Sequence, residues 1–165
     1  MADILVIHDV DLPWQESEER QFFRASAKTA RCKGCFGCWL KRPGECIMHD
    51  GCEQIGTSIA KSRQVWIFSR ILYGGFGVEV KRVLDRSIPQ VLPFFSRRYG
   101  RMHHVPRYEN QPEFHIVFHH AEDATEKEKK LAEKCARAMA INFNASSWSI
   151  HFVNSVPTGE DVREE

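Results

Sequence analysis

Apolar residues fall along the chain in short runs of two kinds. Ile4-Leu5-Val6-Ile7 and Val65-Trp66-Ile67-Phe68 are continuous and rich in branched or aromatic side chains, which predicts strands buried on both faces. Phe114-His115-Ile116-Val117-Phe118 reads as a third such strand. Gln21–Arg24 fits a short strand, and Trp148, Ile150 and Phe152 alternate with polar residues as in a half-exposed edge strand. Helical spacing places Cys52, Ile55 and Ile59 on one face of a helix over about 52–62, with Asp50 as its cap. Phe76, Val80, Val83, Leu84 and Ile88 mark a second helix, limited by Pro89. Thr125 and Glu128 form a capping box, opening a helix whose stripe is Leu131, Cys135, Met139 and Phe143.

The stretch from His8 to Ala30 is too short for an amphipathic helix with two normal connections, so the first crossover helix is expected to be shortened or absent. Cys32–Cys52 reads as a structured loop, and Leu92–Pro112 as a long connection. Strands alternating with helices predict an α/β fold with right-handed crossovers. Five strands in this length fit a flavodoxin-like three-layer sandwich with a five-stranded parallel sheet. Residues 1–157 then form one domain, and 158–165 an acidic C-terminal tail. Ligands of such sheets lie beyond the carboxyl ends of the strands, here the loops after Ile7, Phe68 and Phe118.

Composition narrows the function classes. The 165 residues carry 23 Lys and Arg against 22 Asp and Glu, a net charge of +1, which speaks against a general nucleic-acid or membrane-surface binder. No apolar run is long enough to span a membrane, and Asp3 interrupts the stretch a signal peptide would need, so a cytoplasmic protein is expected. In a reducing compartment the six cysteines point to metal binding or inert burial rather than disulfides. Cys135, alone in a helical pattern, is expected to be a buried small hydrophobe.

Three stretches together resemble the NADPH-dependent FMN reductase family. They are Cys32-Lys33-Gly34-Cys35-Phe36-Gly37-Cys38-Trp39 with Pro43-Gly44-Glu45-Cys46, then Ser69–Phe76 running into Val80–Arg86, and Ala121–Glu128 with Ala140–Phe143. The resemblance implies an FMN at the strand ends, reduced by NAD(P)H and reoxidised by a quinone, flavin or other small acceptor. It places the flavin ring against Ser69, Arg70, Ile71, Leu72, Tyr73, Gly74, Gly75 and Phe76, where glycines let backbone approach a planar ligand. His119 and His120 end the third strand and are further candidates for contacting flavin or substrate. The flavin carries the chemistry, so no catalytic acid or base is named.

The chain departs from the family pattern where the phosphate would sit. His8-Asp9-Val10-Asp11-Leu12-Pro13 replaces the usual Gly/Ser/Asn/Thr-rich loop, and its two carboxylates repel a phosphate dianion by about 1 kcal/mol each near a wet surface. Arg70, Leu72 and Gly77 also differ from the residues usual at those positions. Residues 86–108 contain no acid and carry Arg86, Arg97, Arg98, Arg101, Arg107, His103 and His104. This arm is a candidate to neutralise a cofactor phosphate or, through Leu92–Pro112, to join subunits of a homo-oligomer.

Cys32, Cys35 and Cys38 have two residues between neighbours, and Cys46 follows after seven more. Thiolates so clustered can hold a 4Fe-4S cluster or zinc. The iron–sulfur flavoproteins, relatives of the same family, carry a similar compact motif with a usually shorter last spacing. The leading expectation is therefore an FMN-dependent oxidoreductase. The alternatives are an electron-transfer protein with a cluster at Cys32, Cys35, Cys38 and Cys46, and a flavin-free scaffold.

Overall fold

The continuous apolar runs become the centre of a sheet in the computed structural model, which describes residues 3–14 and 16–155. The proposed acidic tail, 158–165, lies outside the described residues. In chain order the strands are β1 (Ile4–His8), β2 (Arg20–Arg24), β3 (Gln64–Leu72), β4 (Gly75–Phe76), β5 (Val91–Arg98), β6 (Arg101–Pro106), β7 (Glu113–His119) and β8 (Ser147–Phe152). The helices are α1 (Gly37–Leu40), α2 (Ile55–Lys61), α3 (Val78–Arg86) and α4 (Glu126–Asn142).

Five strands pair in the order β2-β1-β3-β7-β8, every pairing parallel. Ranked along the chain these are strands 2-1-3-4-5, an α/β arrangement compatible with the expected fold. β4 folds back antiparallel on the end of β3. β1 and β3 are central, so both their faces are covered and an unbroken apolar run suits them. No helix separates β1 from β2 among the described residues, as their short spacing demands. No described helix is long and apolar enough to cross a membrane.

The two faces are covered differently. Leu5, Ile7, Val65, Ile67, Ile116 and Phe118 point to one side, where α2, α3 and α4 all pack. Ile4, Val6, Trp66, Phe68 and Val117 point to the other, where Val10, Leu12 and Trp14 of the first crossover lie against them with Phe22 and Val153. The expected three-layer sandwich therefore has helices on one side among the described residues. A strap of extended chain replaces the layer on the other side.

Several local expectations change. The helix after the cysteine loop starts at Ile55, not Cys52, and its cap is Gln54 rather than Asp50. Asp50 instead accepts the Ala30 and Cys52 amides and pairs with Arg86. Phe76 belongs to β4, and its helix begins two residues later. The capping box at Thr125 and Glu128 forms as expected. The buried stripe of α4, however, is Ala132, Ala136 and Ala140, while Leu131 and Cys135 are exposed. Small side chains let this helix lie close to the sheet, with Met139 and Phe143 filling its flank. The supposed long connection is a β5–β6 hairpin turned at Tyr99-Gly100, both with positive φ. Phe94, Phe95, Tyr99 and Met102 are exposed on it.

On the strap side, His115 stacks on Trp66 with ring centroids 4.2 Å apart. Burial lowers the pKa of its imidazole, His151 adding to this and Glu113 opposing it. The folded protein then binds fewer protons than the unfolded chain just below the ordinary value of 6.5. Stability from this group is full above that value and is lost as pH falls below it. The urea midpoint should therefore drop between about pH 7.5 and about pH 5.5, and drop less in His115→Gln.

Candidate functional site

The strand order reverses between β1 and β3, so a crevice opens beyond their carboxyl ends. A cleft of about 390 Å³ lies there. Asp9 and Val10 supply the side after β1, Arg70 and Leu72 the end of β3, and His119 and His120 the end of β7. Gly77, Val78 and Glu79 at the start of α3 close it.

A chain of hydrogen bonds crosses these tips. The Asp9 carboxylate accepts the Arg70 backbone amide at 3.0 Å and lies 2.7 Å from His119 Nε2. The Asp9 and His119 side chains are only 8% and 4% exposed. His119 Nδ1 lies 2.7 Å from His120 Nδ1. When Nε2–H of His119 donates to Asp9, a neutral His119 can only accept at Nδ1, so the Nδ1–H of His120 donates to it. His120 then offers Nε2 as a bare acceptor, with no partner among the described residues. The arrangement can accept a hydrogen bond from a ligand at that atom. Ser69 braces the network from below, donating to the Arg70 carbonyl and accepting the Gly77 amide at 2.9 Å. The Arg70 guanidinium reaches Asp123 at 3.3 Å.

Of the ten residues expected to contact a flavin, Arg70, Leu72, His119 and His120 line this cleft. Ser69 and Ile71 are buried beneath it. Tyr73 and Gly74 form the two-residue turn between β3 and β4, both with positive φ. Tyr73 is 85% exposed, and Gly74 lies so close to Leu131 that an added Cβ would come within 2.9 Å. Gly75 completes the hairpin, and Phe76 packs on Phe118. Asp9 and Val10 line the cleft from the loop after Ile7, where ligands are expected, whereas no local pattern marks Val78 and Glu79. The contact of Asp9 with the Arg70 amide and His119 has no local sequence signal.

Among the described residues the cleft offers no cradle for an FMN phosphate. Asp9 already occupies the Arg70 amide, the strap after β1 offers no helix N-terminus, and Asp11 is held by Arg24. The basic arm lies elsewhere. Arg98 and His103 bond to Asn144 and Asn142, just before β8 begins, at the opposite edge of the sheet. Arg86 is buried and faces the cysteine loop.

That loop makes the second candidate site. Cys32, Cys35, Cys38 and Cys46 all line one pocket of about 290 Å³, with Phe36 and Ile47 as apolar walls and Arg86 among its lining. Arg86 has a side chain 0% exposed, pairs with Asp50, donates to the Met48 carbonyl at 3.0 Å, and leaves Nε without a partner among the described residues. Burial opposes its charge, yet Asp50 and the thiols of Cys52 and Cys46 raise its pKa on balance. Asp50 is likewise kept low: burial raises its pKa, but Arg86 and the Ala30 and Cys52 amides outweigh that. The Cys38 thiol is raised, first by burial and then by Cys46, Cys32 and Cys35 around it. Cys52, beneath the pocket's edge in the core, is pushed by burial to about 12.

Among the described residues no group of three or more His, Cys, Asp or Glu side chains is placed to hold a metal ion. Four thiols ringing a cavity differ from a mononuclear zinc site, whose ligands must meet at one point. A cubane takes one thiolate at each of four separated irons, and its dianionic charge suits a buried guanidinium. The donor set therefore fits a 4Fe-4S cluster better than zinc. Comparison with models of known protein families and with curated proteins gives no match.

Two outcomes test these sites. Iodoacetamide at about pH 8 should alkylate exposed Cys32, Cys35 and Cys135 well before Cys52, as read by peptide mass spectrometry. Gly77→Ala places a Cβ 2.9 Å from the Asp9 carboxylate and 3.2 Å from the Arg70 carbonyl. It should lower stability by about 1–3 kcal/mol in urea unfolding and disturb the His119 and His120 ring resonances.

Proposed function

We propose that the chain is a one-electron carrier on a flavodoxin-like fold, with a 4Fe-4S cluster held by Cys32, Cys35, Cys38 and Cys46. The observation that carries this reading is the convergence of those four thiols on one pocket lined by buried Arg86. The parallel strand order 2-1-3-4-5 supports the fold part. When bound, such a cluster supplies one-electron transfer at a potential tuned by local charge and hydrogen bonds. Cys32 and Cys35 are exposed, which leaves the site open to an electron-transfer partner. Asp50 fixes Arg86 under the loop, and Phe36, which lines the pocket, stacks on Trp39.

A second reading is the NAD(P)H- and FMN-dependent oxidoreductase implied by the resemblance. The strand-tip cleft, with Val10, Leu72 and Val78 as apolar lining, favours it. The filled Arg70 amide and the missing phosphate cradle count against it.

Anaerobic reconstitution with ferrous iron and sulfide separates the two. The first reading expects brown protein with about four iron and four sulfide per chain, bleached by dithionite. Cys38→Ser and Cys46→Ser should each lose most of that iron while keeping the wild-type circular dichroism. Flavin fluorescence should show no saturable quenching on titration of FMN. Colourless protein that quenches FMN would reject the first reading in favour of the second.

A further inference from the structure

The outer half of the acid-free arm serves neither site described above. The β5–β6 hairpin instead faces α4, and together they enclose a pocket of about 600 Å³. Tyr99, Arg101 and His103 form its hairpin wall, while Lys134, Arg137 and Asn142 form its helix wall. Lys134, Arg137 and Ile141 recur at helical spacing, so one face of α4 carries the helix wall.

The charge here is not a consequence of composition, because the whole chain has a net charge of only +1. Three permanent cations converge, and no carboxylate lines the pocket. Glu133, the acid next to Lys134 in sequence, is not part of the wall. Among the described residues, Arg101, Lys134 and Arg137 have no ion-pair partner, whereas Arg24, Arg70, Lys81, Arg86 and Lys129 do. Like charges brought together repel, and a bound polyanion removes that repulsion.

The walls are also held in place. The Arg137 guanidinium lies 6.0 Å from the centre of the Trp148 ring. His103 Nδ1 lies 2.8 Å from Asn142 Oδ1, so it donates there and its buried Nε2 keeps an unused hydrogen-bonding position. Arg98 fastens the hairpin to Asn144. Tyr99 is 80% exposed in a left-handed turn, where it adds nothing to the core and presents an aromatic surface beside the cations. An aromatic face beside a fork of guanidinium and ammonium groups matches a ligand with a flat base and a polyphosphate. The volume lies within the range of small-ligand pockets.

We propose that this pocket binds a nucleoside di- or triphosphate, with the base against Tyr99 and the phosphates on Arg101, Lys134 and Arg137. The proposal stands independently of the cluster reading, since no residue is shared between the two pockets.

Isothermal titration of the full chain with ADP, adenosine, pyrophosphate and inorganic phosphate tests it. ADP should bind saturably and about tenfold or more tighter than adenosine or phosphate, with affinity falling as salt rises. The double variant Arg101→Ala, Arg137→Gln should weaken ADP and pyrophosphate alike, by about tenfold or more. Tyr99→Ala should weaken ADP about fivefold and leave pyrophosphate unchanged. All these positions are on the surface, and circular dichroism should confirm that the variants fold. Absence of saturable ADP binding, or an unchanged affinity in the double variant, would overturn the site. Pyrophosphate binding as tight as ADP, with Tyr99→Ala silent, would overturn the nucleotide assignment.

Discussion

The structure depends on β3 lying between β1 and β7 with both faces sealed. Its register to both neighbours is set by residues 64–68, which pair with Ile4–His8 on one side and Glu113–Val117 on the other. A one-residue slip would turn Trp66 and Phe68 into the helix side and Val65 and Ile67 out of it, so the register is strongly specified. That fixed register brings Asp9, Arg70 and His119 together, from positions far apart in sequence. The hydrogen-bonded chain at the strand tips is therefore a direct product of core packing.

The absence of a helix between β1 and β2 among the described residues has consequences for both the core and the cleft. The strap there buries Trp14 against Phe68 and carries Asp9 to the end of β3. Asp9 in turn requires Gly77, because any Cβ there would press into the carboxylate. The acid after β1 and the glycine before α3 are thus one steric arrangement. The strap also sets the Asp9 carboxylate at the crevice, where it disfavours an anion and favours a hydrogen-bond donor.

Opposite charge is handled at the other edge of the sheet. The hairpin places its cations against α4 near the start of β8, away from Asp9 and its histidines. Arg86, although part of the same basic stretch, lies inside and ties the cysteine loop to α3 through Asp50 and Met48. A buried ion pair of this kind adds little net stability, but breaking it leaves a charge stranded at a cost of about 3–5 kcal/mol. Its effect is to fix the geometry of the loop that carries the four thiols.

The sequence alone determined the elements whose signal is local. The apolar runs gave β1, β3 and β7, the alternation at Trp148–Phe152 gave the edge strand β8, and Thr125 with Glu128 gave the start of α4. The four cysteines were legible as a group because their spacing is short enough for one loop to gather them. What failed locally failed for identifiable reasons. Periodicity points to Leu131 and Cys135 because large residues outweigh alanines, although only alanines allow close approach to the sheet. The hairpin carries no strand signal because its faces are mixed aromatic and basic rather than alternating apolar and polar. Only the tertiary structure decided that Asp9 meets His119, that Arg86 is inside, and that Arg101 faces α4. Each of these contacts joins residues separated by dozens of positions, and their pairing follows from strand order and register, which no local pattern encodes.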